Sequence, residues 1–335
     1  MQKSAFVISL DFELFWGVRD KRTIASYGAN IRGVRQVIPS LLSLFEAYGI
    51  QATFATVGFL FCRDKKDLLL HLPADLPRYS EEKYSPYANN YLQQIGETEA
   101  DDIYHLGWSL LEQIIQHPAQ EIASHTFSHF YCLEKASLPS FEADLLAAKR
   151  IAAERGVELK SIVFPRNQYS NEHIAICQKL GFNSYRGNEQ SAVYQPRQNE
   201  DQHQSVRAVR LMDSYLNLTG HHSFSVDTTT PIINIPASRF LRPWSRRLRH
   251  LDGLRLKRIT GSMTHAAKKA EGYHLWWHPH NFGINLNENL SFLEAILKHF
   301  RQLHADYGMQ SLTMKQVAEE SKQHHAEATH HLAGR

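Results

Sequence analysis
Strand-length apolar runs alternate with amphipathic helical stretches along nearly the whole chain, and no other feature limits the fold as strongly. AFVISL (5–10) has the composition of a buried strand. The later part of IRGVRQVIPSLLSLFEAYG (31–49) has helical spacing and closes at Gly49. QATFATVGF (51–59), QEIAS (120–124), KSIVFP (160–165), FNSYRG (182–187), IINIP (232–236) and YHLWWH (273–278) return as strands. Between them lie helical stretches at 101–118, 141–156, 173–181 and 288–308, then a short MQSL strand and a last helix capped by Thr313. Repeated strand–helix units of this kind imply a mainly parallel sheet covered by helices.

In parallel α/β folds the chemistry gathers at the C-terminal edges of the strands. Four strands here end in ionisable groups. Asp11 and Glu13 end the first, His125 follows the third, Arg166 follows the 160–165 strand, and His278 ends the 273–277 strand. The segment 62–100, rich in Pro, Tyr and Asn, is expected as an irregular insertion over one end of the sheet. We find no internal repeat and no glycine-rich phosphate loop in the sequence.

HTFSH (125–129) places two histidines four apart. On one helical turn such a pair points one way and can chelate a divalent ion. The glutamate of an H-E-x-x-H motif is missing, so the proton acceptor must come from elsewhere. SLDFELFWG (9–17) supplies it: in an extended strand Asp11 and Glu13 share a face and Phe12 turns away. Two acids ending an apolar strand are costly unless bound or used.

An acidic pair on strand one, H-[ST]-x-x-H, an arginine–proline motif and a late histidine together resemble the polysaccharide deacetylase family, the NodB-like carbohydrate esterases. The order matches from Asp11 to about His280. The resemblance implies an α/β fold, a distorted (β/α) barrel with about seven parallel strands. Residues 1–320 would form this single catalytic domain, with insertions at 62–100 and 239–270; the histidine-rich tail 321–335 is expected to be flexible. The implied cofactor is one divalent metal, Zn²⁺ with Co²⁺ or Ni²⁺ as alternatives, held by Glu13, His125 and His129. Asp11 would be the base, Arg166 would orient it, and His278 would be the general acid, with His280 as competitor. Backbone N–H groups near Asn167 and Gln168 would contribute to an oxyanion site. Trp16, Asn167, Gln168, Trp277 and His280 are the expected substrate contacts, and one of Trp276 and Trp277 could stack on a sugar ring. The first motif departs from the family's paired aspartates, being D-F-E, so the roles of Asp11 and Glu13 could be exchanged. The arginine motif is also reordered, as FPRNQYS (164–170). YRGNE (185–189), with Arg186 and Glu189, is the candidate for the fourth motif.

The implied reaction removes the N-acetyl group of an amino sugar. Two alternatives stay open: a metal-independent hydrolase of a small linear or cyclic amide, and a non-catalytic glycan-binding barrel. The chain of 335 residues has a net charge of only +3, which argues against nucleic acid as partner. The charge is uneven, however: residues 239–269 hold seven arginines and three lysines against one aspartate. That segment suits phosphates, either of a nucleotide- or lipid-diphosphate-linked sugar or of an anionic inner-membrane surface. Three cysteines without a C-x-x-C pair, and an N-terminus that enters a strand at once, set the expectation of a cytoplasmic protein, peripheral to the membrane at most. With the implied chemistry this suggests assembly of a bacterial surface polysaccharide such as lipopolysaccharide O-antigen.

Overall fold
The structure, a computed structural model, describes residues 3–191, 193–194 and 204–333. Its centre is strand β1 (Ala5–Phe12), buried along its whole length. β1 pairs in parallel with β2 (Ala52–Thr56) on one side and β8 (Gly272–Trp277) on the other. From β2 the ladder continues in parallel through β3 (Glu121–Ser124), β4 (Ser161–Ile162), β5 (Ser184–Tyr185) and β6 (Ile233–Asn234). From β8 it ends at β7 (Arg239–Phe240), and a short β9 (Gln310–Ser311) pairs with the start of β1.

The two ends of this ladder are one run of chain. Ile235 N–H and Ala237 N–H donate to Tyr185 and Gly187 carbonyls, whereas Ser238 and Leu241 N–H donate to His274 and Trp276 carbonyls. A single bent segment therefore leaves β5 and joins β8, curling the sheet into a barrel. Counted around the ring, β6 and β7 occupy one place, which gives the seven positions expected for a distorted (β/α) barrel.

The period of two along β1 shows how the barrel is filled. Phe6, Ile8, Leu10 and Phe12 face the helices and join the larger hydrophobic core. Ala5 and Val7 face inward and join a smaller core with Ala55, Ala123, Val163, Ile233 and Ile235. Leu312, Met314, Val317 and Ala318, around the start of α10 (Met314–Ala333), plug the bottom of that inner core. Thr313 caps this helix as expected: its Oγ1 accepts Gln316 N–H at 3.2 Å and Gln316 Oε1 accepts its N–H at 2.8 Å. Above the apolar floor the same inward face of β1 turns polar, through Ser9 to Asp11 and Glu13.

α1 (Ile24–Tyr48) is longer than its periodicity suggests, starting at the Thr23 cap and ending at Gly49 in the left-handed conformation. The 62–100 stretch is largely irregular and holds the short helices α2 (Lys65–Leu70) and α3 (Tyr91–Gln94). The helix expected over 101–118 is confined to α4 (Trp108–Ile115). α5 (Leu138–Glu154), α6 (Asn171–Lys179), α7 (Gln204–Asp213), α8 (Asp252–Lys269) and α9 (Leu286–Tyr307) complete the helices. α10 carries the chain on to Ala333, and the last two tail residues lie outside the described ones. Among the described residues no helix is long and apolar enough to cross a membrane.

Candidate active site
Glu13 lies at the centre of the rim. It is 2 % exposed, and its Oε2 is 3.3 Å from His125 Nε2 and 3.1 Å from His129 Nε2. Its other oxygen, Oε1, is 3.1 Å from His280 Nε2 and 3.7 Å from His278 Nε2. Gly17 makes room for this carboxylate: a Cβ there would lie 1.9 Å from the Glu13 carboxyl carbon. Burial would raise the Glu13 pKa, but His278, His125, His129 and His280 together hold it well below the usual range.

The HTFSH segment is not the helical turn that its spacing suggests. His125 continues β3, and the chain then bends through left-handed backbone at Thr126 (φ 63°) and His129 (φ 59°). Asp144 of α5 holds the bend, its carboxylate accepting the Phe127 N–H at 2.6 Å and the Ser128 N–H at 3.2 Å and bonding to the Ser128 hydroxyl. Burial pushes the Asp144 carboxyl up to about 7. Thr126 Oγ1 accepts the Phe130 N–H at 2.7 Å. The two imidazoles thus converge through a pinned loop. His125 Nδ1 lies 2.8 Å from the Val163 carbonyl, so it carries a proton, and Nε2 is the nitrogen turned toward Glu13. With Nδ1–H held by a carbonyl, Nε2 is the nitrogen that can serve as a metal ligand when unprotonated. Glu13, His125 and His129 present one ligand atom each, all within 4.8 Å of one another, and all three residues are buried. His129 Nδ1 is buried with no hydrogen-bond partner. This donor set fits a divalent ion.

Asp11 faces the same centre from one pleat below. Arg186 grips it with two bonds, Nη1 to Oδ1 at 2.7 Å and Nη2 to Oδ2 at 2.8 Å. The guanidinium also reaches Ser9 Oγ at 2.9 Å and Asn167 Oδ1 at 2.8 Å, and it lies 4.2 Å from the Trp276 ring centre. Burial would raise the Asp11 pKa; Arg186, with His125 and His278, lowers it. His278 stands at the open side, its side chain 24 % exposed, with Nε2 3.7 Å from Asp11 Oδ2. Burial lowers its pKa against the pull of Glu13 and Asp11.

Several expected residues fall elsewhere. Arg166 does not reach Asp11. Its backbone turns left-handed (φ 56°), and its guanidinium pairs with Asp20 and Glu134 over the Tyr131 ring, 4.0 Å from the ring centre. The arginine that orients Asp11 is Arg186, from the next strand. The Asn167 and Gln168 N–H groups close the local turn onto Phe164 and Pro165 carbonyls, so neither is aimed into the cleft as an oxyanion donor. Asn167 belongs to the site through Arg186, and Gln168 is buried. Trp16 is fully buried, its Nε1 donating to the His105 carbonyl at 2.8 Å and its ring packed on Phe59. Trp277 is likewise core, against Phe45 and Phe282. Trp276, two residues before His278, shares its inward face and bonds Glu189 Oε1 at 3.4 Å. His280 is 3 % exposed, which removes it from substrate contact and places it beside Glu13.

Residues 27–185 match the sequence profile of the family described as polysaccharide deacetylase. The match spans 159 of the 335 residues, and over that stretch the chain is similar to this family. This is a family of hydrolases acting on carbon–nitrogen bonds other than peptide bonds. The matched stretch contains His125, His129 and Arg166; it begins after Glu13 and ends just before Arg186. No curated protein matches the sequence. Among solved structures, a protein of Mycobacterium smegmatis assigned as a polysaccharide deacetylase superposes with a TM-score of 0.59 at 12 % identity, over 96 % of this chain and 91 % of its own. One of Pseudomonas aeruginosa PAO1 with the same assignment gives 0.54 at 11 % identity, over 94 % and 90 %. The Puue allantoinase gives 0.53 at 10 %, over 94 % and 89 %. At these identities the superpositions establish the fold alone, the NodB-like barrel.

Proposed function
We propose that this protein is a polysaccharide deacetylase that hydrolyses the N-acetyl group of an amino sugar. The observation that carries the reading is the convergence of Glu13, His125 and His129 on one centre, with Asp11 one pleat below and His278 on its open side. Asp11, its carboxylate held by Arg186, takes the proton of the attacking water. In this reading His278, its Nε2 3.7 Å from both Asp11 Oδ2 and Glu13 Oε1, delivers a proton to the departing amine, which leaves poorly as an anion. A divalent ion on Glu13, His125 and His129, zinc in the first place and Co²⁺ or Ni²⁺ as substitutes, would polarise the carbonyl and acidify water. Trp276 and Phe240, which flank His278, form an aromatic wall for the sugar ring.

The natural substrate in this reading carries a diphosphate, nucleotide- or lipid-linked, and belongs to bacterial surface polysaccharide assembly, for instance O-antigen. Three buried, unpaired cysteines support a reducing, cytoplasmic setting. The basic segment supports contact with anionic membrane only over its outer part. Arg239, Arg255 and Arg258 are buried, whereas Arg246, Arg247, Arg249 and Lys257 are exposed beside exposed Leu251 and Leu254. The test is acetate release from free, nucleotide-linked and lipid-linked N-acetyl sugars. Activity should disappear with a chelator and return with Zn²⁺ or Co²⁺. Full activity in the chelator, on a small amide but no sugar, would select the metal-independent reading.

A further inference from the structure
Glu13 offers two oxygens, and four imidazole nitrogens approach them in two pairs. His125 and His129 face Oε2; His278 and His280 face Oε1. The second pair, with Glu13, also has the spacing of a metal site. The proton on His280 decides between a second ion and a hydrogen bond.

Asn281 touches both rings of the second pair. Its Oδ1 is 3.3 Å from His278 Nδ1, and its Nδ2 is 3.4 Å from His280 Nδ1. An amide oxygen only accepts and an amide nitrogen only donates. With the amide in this orientation the two rings take opposite states, His278 protonated at Nδ1 and His280 bare there. The Tyr27 hydroxyl of α1 lies 2.9 Å from His280 Nδ1, its ring edge-on to the imidazole, and donates to that nitrogen when it is bare. A neutral imidazole bare at Nδ1 is protonated at Nε2, and His280 Nε2 is the atom 3.1 Å from Glu13 Oε1.

The backbone holds this arrangement tightly. Asn30 Nδ2 donates to the His280 carbonyl at 3.2 Å, and α1 meets the loop after β8 glycine to glycine. A Cβ on Gly33 would lie 1.9 Å from the Gly283 carbonyl oxygen, and one on Gly283 would lie 1.9 Å from that of Asn30. Nothing larger than hydrogen fits at either place, so Tyr27 and His280 are carried into register by direct backbone contact.

We propose that Asn281 and Tyr27 fix His280 as its Nε2–H tautomer, and that this N–H holds Glu13 by Oε1 so that only Oε2 is offered to a metal. The inference rests on the reading of Glu13 as a metal ligand. It makes His280 a positioning residue, removes it as a competing general acid and leaves room for one ion.

The test is Zn²⁺ titration of the whole protein by competition with a chelating dye, with ¹⁵N-histidine NMR of the metal-free protein. Wild type should take one Zn²⁺ at the barrel site, with His280 protonated at Nε2. His280→Ala should weaken Zn²⁺ binding about 10–100-fold, the range for a lost outer-shell partner. His280→Gln, which keeps an amide donor, should recover part of the loss. Tyr27→Phe, which keeps the ring packing, should weaken binding less than tenfold and shift the His280 ¹⁵N signals. Two ions in wild type and one in His280→Ala would overturn the proposal and leave the deacetylase reading standing. So would wild-type affinity in both His280 variants, or a proton found on His280 Nδ1. No ion bound by wild type, with no activity on N-acetyl sugars, would overturn both.

Discussion

Two buried arginine–aspartate pairs lie on opposite faces of the barrel wall. Inside, Arg186 holds Asp11. Outside, between β7 and α8, Arg239 and Arg258 hold Asp213. Chemically they are alike, and both aspartates are held below their usual pKa against burial, by Arg186 and by Arg239 respectively. They differ in what remains unused. Asp213 also accepts the Leu218 and Thr219 N–H groups at 3.0 Å and the Tyr194 hydroxyl at 2.8 Å, so its lone pairs are consumed. Asp11 takes one bond per oxygen from Arg186, and Oδ2 is left facing His278 across 3.7 Å. A saturated pair fixes architecture, and an unsaturated one at a strand end keeps an acceptor available for chemistry.

The comparison breaks most sharply on the two aspartates. Asp11→Asn should lower hydrolysis about 10³-fold per folded molecule, within the range for a lost general base, and also cost stability because Arg186 stays buried without its counter-charge. Asp213→Asn should cost stability only, about 3–5 kcal/mol in urea unfolding, with activity per folded molecule kept. If Asp213→Asn silenced the enzyme while leaving it stable, the division of roles would be wrong.

Gly17→Ala comes next. The added methyl occupies the place of the Glu13 carboxyl, so Zn²⁺ affinity should fall about 10–100-fold in the dye-competition assay while the fold survives. Arg186→Lys loses the two-pronged grip and should lower kcat about tenfold or more. Arg166→Lys, whose guanidinium faces Asp20 and Glu134, should change kcat by less than about threefold.

The smallest effect concerns pH. Burial beside Arg239 pushes His222, which neighbours the outer pair, down to about 4. The unfolded chain would take up that proton nearer 6.5. Stability from this group is therefore complete above about pH 6.5 and is lost as pH falls toward 4. His222→Gln should remove on the order of 1–2 kcal/mol of that acid loss, measured as unfolding free energy at pH 7 and pH 4.5. An unchanged slope would separate His222 from the Asp213 cluster.

Strand alternation alone makes much of the site legible in the sequence. Asp11 and Glu13 two apart, His125 after an apolar strand, and His278 at the end of β8 all reach the rim that parallel topology demands. The same rule favours Trp276 over Trp277, since only the former lies two residues from His278. It also favours Arg186, which follows inward-facing Ser184 by two. An arginine follows both β4 and β5, however. What diverts Arg166 is the pair of left-handed residues Arg166 and Asn167, a backbone choice that FPRNQYS does not announce. Asp144, which pins the histidine loop from α5, is hidden for another reason: its hydrogen bonds to Phe127 and Ser128 span 17 and 16 residues and leave no periodic trace. The bent run 232–241 is hidden as well, because one segment serving two sheet edges reads locally as a strand followed by a basic stretch.

The most direct measurement is anomalous X-ray scattering at the zinc edge from crystals grown with Zn²⁺, using protein whose tail histidines His324, His325, His330 and His331 are replaced by glutamine. The account predicts one strong peak within bonding distance of Glu13 Oε2, His125 Nε2 and His129 Nε2, absent in His125→Ala. A barrel with no peak there, or a peak that survives His125→Ala, would contradict it.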